Sequence, residues 1–500
     1  MTMKPRAARR VFRHLHLFLF GWFCIAWFLF RTGTKPSRIV YPCQQASISG
    51  AHLWCAVYLL PLVSIIRFPG KGWGQTLAYL GAAVLALAVL LSAQFFLGIL
   101  KPDPLPDELL DPGVTSDIFV VNDTTGDDGG VDQLLRLMER EGTPFYATEK
   151  GSSRAGMIGK DDIVLLKVNA QWDERGGTNT DLVKSLIQAI VDHPDGFIGE
   201  IIVADNGQAQ YGPAGTGGSL DFEKNNAEDI TQSISRVVGS FTGSSRVSTY
   251  LWDTITTRRV REYADGDTDD GYIVNDTPNP RTGIPVSYPK FTTRYGTHVS
   301  FKHGIWNATT GAYEEDRLKI VNVPVLKSHG TYGVSGAVKN YMGVPSDKLT
   351  AAMGSRAHST VDDGGMGTEM AETRFPAVTI LDAIWINARS KTGNGPETPY
   401  ESATWAGIIA ASTDPVALDY WAVQEILMPA ARSRGYTDLS KMDPENRSPG
   451  KFGAWLRLSM QELRRAGYSV TIDRNAMNVH AVENGDPGEG SPPPSRGTPP

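Results

Sequence analysis

The sequence predicts an α/β domain with a mostly parallel sheet, two-lobed and preceded by a helical membrane anchor. Three observations carry this. Short apolar runs alternate with amphipathic helical stretches beyond residue 115. Charge divides sharply near residue 100. Three long apolar runs precede that division.

Residues 1–100 hold ten Lys and Arg and no Asp or Glu, while the rest of the 500-residue chain holds 38 Lys and Arg against 54 Asp and Glu. The acidic part has no basic tract that could follow a phosphate backbone, so nucleic acid is excluded as a partner. The three cysteines, Cys24, Cys43 and Cys55, all fall in the first hundred residues. The large domain therefore has no disulfide, no thiolate zinc site, no cysteine nucleophile and no iron–sulfur cluster.

In chain order, the first apolar run spans Leu15 to Phe30, the second Ala51 to Phe68 and the third Thr76 to Leu100. The third is long enough to span a bilayer, and the other two, at about 16 to 18 residues, lie near the lower limit. These predict three transmembrane helices over residues 1–100. Flanking positive charge favours a multi-pass protein of the cell membrane, with its large domain on the outer face. Residues 101–114 form a proline-rich linker. Residues 115–482 form the α/β domain, with 209–318 as an irregular insertion or lobe, and the Pro- and Gly-rich residues 483–500 form a disordered tail.

Within the domain, strands are expected at Asp117 to Val121, Asp162 to Val168, Gly199 to Ala204, Ala377 to Leu381 and Trp405 to Ala410. Helices are expected at Val131 to Glu141, Thr180 to Asp192, Ala227 to Val238 and Phe452 to Ala466, with another starting at Asp414.

The stretch from Val321 to Gly343 organises the chemistry. Its apolar strand ends at Lys327; Ser328 and His329 follow, then a loop with glycines 330, 333 and 336, and then Lys339 and Asn340. In open α/β sheets, ligands bind at the carboxyl ends of strands. Glycines admit close backbone approach there, and lysines favour an anion. A second strand end carries Lys167 and Asn169, followed by Thr180, which is expected to cap the next helix. Asp205 and Asp382 also end strands. Asp419 lies within an apolar helix that Asp414 caps. His358, Asp362 and Asp363 on a Gly-rich loop are a weaker indication of metal ligands. His298 and His303 fit a surface hairpin. The dinucleotide fingerprint, the phosphate-binding P-loop, the G-x-S-x-G elbow and H-E-x-x-H are all absent.

Lys167-x-Asn169, the Thr180 helix start, Pro324 to His329, Gly336 to Asn340 and Asp414 to Asp419 occur in an order that resembles the bacterial and archaeal domain-of-unknown-function family 362, over roughly residues 115–430. Some members of that family carry a four-cysteine ferredoxin module, which this chain lacks. His329 and Lys339 are also similar to the H-x9-K segment of nickel-pincer lactate racemases. That resemblance implies proton transfer at His329 and a metal or covalently bound cofactor at Lys339.

The combined expectation is a membrane-tethered enzyme acting on a small anionic substrate, a carboxylate or a phosphate. Its catalytic groups would be His329, Lys339 and Lys327. Lys167, Asn169, Asn340, Thr180, Asp205, Asp382 and Asp419 would bind substrate, with the lipid bilayer as a further partner. The alternative is a non-catalytic receptor that uses the same lysines on an anionic ligand.

Overall fold

The computed structural model describes residues 113–149, 156–209, 213–389 and 397–485, together with Phe23, Cys24, Ala26 and Trp27. The chain divides into the units Met1–Asp107 and Glu108–Pro500. The described residues of the second unit carry a mixed sheet flanked by helices.

Its strands are β1 (Ser116–Asn122), β2 (Ile163–Lys167), β3 (Glu200–Asp205), β4 (Val247–Leu251), β5 (Gly271–Val274), β6 (Ser287–Thr292), β7 (His298–Ser300), β8 (Gly304–Asn307), β9 (Ala312–Glu314), β10 (Leu318–Asn322), β11 (Val325–His329), β12 (Gly333–Ser335), β13 (Val378–Asn387), β14 (Thr404–Ser412) and β15 (Met477–Glu483). In place of two lobes, the described residues form one ten-stranded sheet, ordered β15-β1-β14-β13-β10-β2-β3-β4, with β11 paired to β13 and β12 to β11. Strand β14 runs against β1 and β13, and β12 runs against β11. All other neighbours in this sheet are parallel. Residues 209–318 are not uniformly irregular, because β5 to β9 make a five-stranded antiparallel meander.

Alternation along the strands divides the apolar residues between two cores, as the pleat requires. Ile118, Val120, Ile163, Leu165, Ile202 and Ala204 face one core; Phe119, Val121, Val164, Leu166, Ile201 and Val203 face the other. Helices α1 (Gly130–Arg140), α2 (Thr180–Val191) and α3 (Ile234–Phe241) cover the second core. In α1 the buried Val131, Leu134, Leu135 and Met138 recur at helical spacing, which is why this segment lies flat on the sheet. The first core is covered by the meander and by α4 (Ala337–Asn340), α5 (Asp347–Ala352), α6 (Gly365–Glu372), α7 (Pro415–Ala422), α8 (Met428–Ser433) and α9 (Phe452–Arg465). Asp414 caps α7 through Val416 N and Ala417 N, and Pro415 fills the first turn, where its missing N–H costs nothing.

The expected membrane anchor is overturned. No helix among the described residues is long and apolar enough to cross a membrane. The multi-pass membrane location and the outer-face placement go with it. The three apolar runs lie outside the described residues, apart from the four residues named above. An apolar run suits the core of a large protein as well as a bilayer, so its composition does not distinguish them. The linker, up to residue 112, and residues 486–500 of the tail also lie outside the described residues; Glu483 closes β15.

One feature of the topology places the site. From β2 the chain moves one way across the sheet, to β3 and β4; from β10 it moves the other way, to β13. Neighbouring β2 and β10 therefore form the switch point, where open α/β sheets bind ligands in the crevice outside the carboxyl ends of their strands. Asn322 pairs with Lys167 at the end of β2. At Pro324 the chain leaves β2 and continues along β13 as β11, with Val325 opposite Asp382. Beyond the break, β2 and β11 diverge.

Candidate active site at the switch point

Lys167, the last residue of β2, is 1% exposed, and its Nζ lies 2.7 Å from Asp205 Oδ1 at the end of β3. The ammonium also donates to Val168 O at 2.9 Å. Burial pulls the Lys167 pKa down, and the Asp205 charge opposes it. Asp205 Oδ2 accepts Ala170 N at 2.7 Å, so this pair also anchors the chain leaving β2. Gly343 packs against the pair: a Cβ there would collide with Asp205 Oδ1 and Lys167 Nζ.

Lys327 has no such partner. It is 0% exposed, and its Nζ donates to Gly176 O at 2.5 Å. Burial, with Lys339 nearby, lowers its pKa to about 7, although Asp382 and Asp205 pull the other way. Lys339 on α4 is 7% exposed, and its Nζ faces His358 Nε2 at 3.4 Å and the Tyr332 ring at 5.3 Å. Burial, reinforced by Lys167, brings its pKa down to about 8. Among the described residues, neither Lys327 nor Lys339 forms an ion pair with a carboxylate.

His329 ends β11 and is 6% exposed. Its Nδ1 accepts the backbone N–H groups of Thr331 at 3.0 Å and Tyr332 at 3.3 Å. Burial and the charges of Lys339 and Lys327 drive its pKa far below that of a free imidazole. With Nδ1 occupied as an acceptor, the neutral ring carries its proton on Nε2. His329 is therefore a hydrogen-bond donor at this site, whereas an unperturbed imidazole would shuttle protons near neutrality. Tyr332 stands between the imidazoles, 5.1 Å from His329 and 5.3 Å from His358, and its hydroxyl donates to His358 O at 2.7 Å. Trp455 Nε1 holds Tyr332 O at 2.7 Å, and Lys441 holds Gly330 O.

Asp347 supports this wall from behind. It accepts His358 N at 3.0 Å and pairs with Arg356. Burial raises the Asp362 carboxyl to about 6 against the charges of Lys441 and Lys339, and its Oδ1 is buried without a hydrogen bond.

The other residues expected at the site hold its frame or lie apart. Asn340 donates to Asn322 Oδ1 at 2.9 Å and Lys167 O at 3.3 Å, tying α4 to the ends of β10 and β2. Asp419 accepts Ala337 N at 2.6 Å and Val338 N at 2.9 Å, so it caps the short helix that carries Lys339, and burial raises it to about 7. Asp382 accepts Asn179 N at 2.8 Å and Ile384 N at 3.1 Å, and burial raises it to about 6. Thr180 does not cap α2. Asn179 does, through Asp181 N and Leu182 N, while Thr180 Oγ1 donates to Gln232 O. Asn169 and Thr180 line a separate small pocket with Trp172 and Asn226.

Sequence reasoning missed Tyr332 and Gly343 and weighed His358 only as a metal ligand. An aromatic residue among loop glycines was the available signal for Tyr332. Among the described residues, no group of three or more His, Cys, Asp or Glu side chains could hold a metal. Lys339 Nζ, where the racemase resemblance would attach a cofactor, faces His358 Nε2 at 3.4 Å.

Residues 289–424 match the family model described as Domain of unknown function (DUF362), a span that contains Lys327, His329, Lys339, His358 and Asp419. Lys167 and Asp205 lie before it. A thylakoid-associated protein of Synechocystis is 30% identical over 131 residues, covering 24% of this chain and 39% of that protein. The match thus spans well under two thirds of the relative's length. No solved structure matches the chain.

Proposed function

We propose that the crevice at the β2–β10 switch point binds a small carboxylate or phosphate ligand and catalyses proton transfer on it. The carrying observation is that Lys327 and Lys339 are buried without a carboxylate to neutralise either. Two buried lysines with no carboxylate in ion-pair contact disfavour each other's charge and have lost their hydration, so an anion between them relieves both costs. In the free site each amine sheds its proton near neutral pH, which suits Lys339 to accept one from a bound substrate. His329 offers its Nε2–H to the oxygen on which charge develops, as a neutral imidazole does when it polarises a carbonyl. Asp419, Asn340 and the Lys167–Asp205 pair keep the elements carrying these groups in place.

A receptor would use the same lysines but would have no use for a neutral histidine held in one tautomer, and this favours the enzyme. The test is calorimetric titration of the full chain with small carboxylates and inorganic phosphate, followed by NMR of each bound carboxylate in heavy water. Binding that is lost in Lys327→Met, with enzyme-dependent exchange of a substrate proton, supports the reading. Binding without exchange leaves a receptor, and no binding by any anion sinks the site.

A further inference from the structure

We propose that Lys339 forms a covalent imine with a carbonyl compound that also bears an anionic group, 2-oxo carboxylates being the smallest such ligands. This rests on the anion-site reading above and names its substrate class.

The geometry separates the two free lysines. Lys327 is fully enclosed, with its Nζ committed to Gly176 O, which places it to hold the anionic end of a ligand and not to attack a carbonyl. Lys339 retains some exposure, and the only hydrogen-bond partner of its Nζ among the described residues is an imidazole nitrogen, His358 Nε2. Imine formation needs an amine that is free of its proton and a neighbouring base for the proton released on addition. A carboxylate beside Nζ would have held it as an ammonium; a neutral imidazole does not. Burial and the Lys167 charge act in the same direction, holding Lys339 at about 8.

The step balances without an oxidant or reductant. The Nζ lone pair attacks the carbonyl carbon while the carbonyl π pair moves to oxygen. Nζ, now cationic, gives one proton to His358 Nε2, which passes it to the alkoxide oxygen to make a hydroxyl. The remaining Nζ proton then moves through His358 to that hydroxyl, which leaves as water as the C=N bond forms. One carbonyl and one amine give one imine and one water.

The Tyr332 ring, Asp347 and Arg356 act through His358. They fix the imidazole that faces the amine, which makes them positioning residues.

The test uses the full chain, pyruvate and cyanoborohydride near pH 7.5, with peptide mass spectrometry to locate the trapped adduct. Lys339 is expected to trap pyruvate about a hundredfold faster than the exposed Lys184, because an amine held at about 8 has a larger free fraction at pH 7.5 than an ordinary lysine by that order. Lys339→Arg should abolish the dominant trapped adduct. His358→Gln should slow trapping and leave binding intact. Thermal melts of each variant check that the fold survives. Pyruvate that binds without being trapped at Lys339, or that is trapped at Lys339 no faster than at Lys184, overturns the imine but leaves the anion site standing. If pyruvate and phosphate both fail to bind, both readings fall.

Discussion

The Asp419 carboxylate lies directly against Gly336, so that a Cβ on that glycine would collide with Asp419 Oδ1. This close approach lets one buried side chain satisfy the N–H groups of Ala337 and Val338, and so start the four-residue helix bearing Lys339. Asp419→Ala leaves two buried donors unsatisfied, at a cost of roughly 2–4 kcal/mol. Gly336→Ala overpacks the same contact and should cost about 1–3 kcal/mol. Urea denaturation measures both. A neutral result for Asp419→Ala would mean that α4 does not depend on its cap.

The Lys167–Asp205 pair is buried on both sides, with side chains 1% and 3% exposed. Removing one charge strands the other, so Asp205→Ala should destabilise the protein by about 3–5 kcal/mol. Removing both charges, with Lys167→Met and Asp205→Leu, should recover much of that loss. A double-mutant cycle reads the coupling, and near-additive costs would show that the two charges act independently.

Stability should pass through a minimum near neutral pH in anion-free buffer. Asp382, at about 6, and Asp419, at about 7, are raised by burial. The folded chain therefore holds more protons than the unfolded one between about pH 4 and 7, and stability falls over that range. Lys327, at about 7, and Lys339, at about 8, are lowered by burial. Above pH 7 the unfolded chain holds more protons, and stability climbs towards about pH 10. Thermal melts across pH should show Asp382→Asn flattening the lower limb and Lys327→Met the upper. An upper limb unchanged in Lys327→Met would assign that rise to other groups.

His329 distinguishes a donor from a base. Its Nδ1 is occupied by two backbone amides, leaving Nε2–H to act. His329→Gln keeps a neutral N–H donor and should retain part of the proton-exchange rate. His329→Ala should lose roughly a hundredfold or more. Equal losses in both would mean that the imidazole itself carries the proton.

The catalytic candidates were legible where a local pattern breaks. Lys167 and Lys327 each follow buried apolar residues, His329 comes two positions after Lys327, and polar groups at such strand ends are easily read. What remained hidden depends on partners distant in sequence. Asp419 caps a helix 82 positions away, and no window of sequence contains both ends of that contact. Thr180 reads as a cap by its residue type, yet Asn179 one position earlier reaches both amides. Strand β15 alternates weakly, with mostly exposed residues, because an edge strand buries little that periodicity could reveal. The membrane helices rested on composition alone, and composition does not say what an apolar helix packs against.

Strand β15 pairs along its whole length with β1, Ser116 opposite Met477 and Asn122 opposite Glu483. During synthesis, β1 emerges hundreds of residues before its outer neighbour exists. Because β15 lies at the margin of the sheet, the other strands can pair while residues 477–483 are still within the ribosome. The N-terminal strand therefore waits with one side open, and the sheet is completed from its edge by the last described strand to be made.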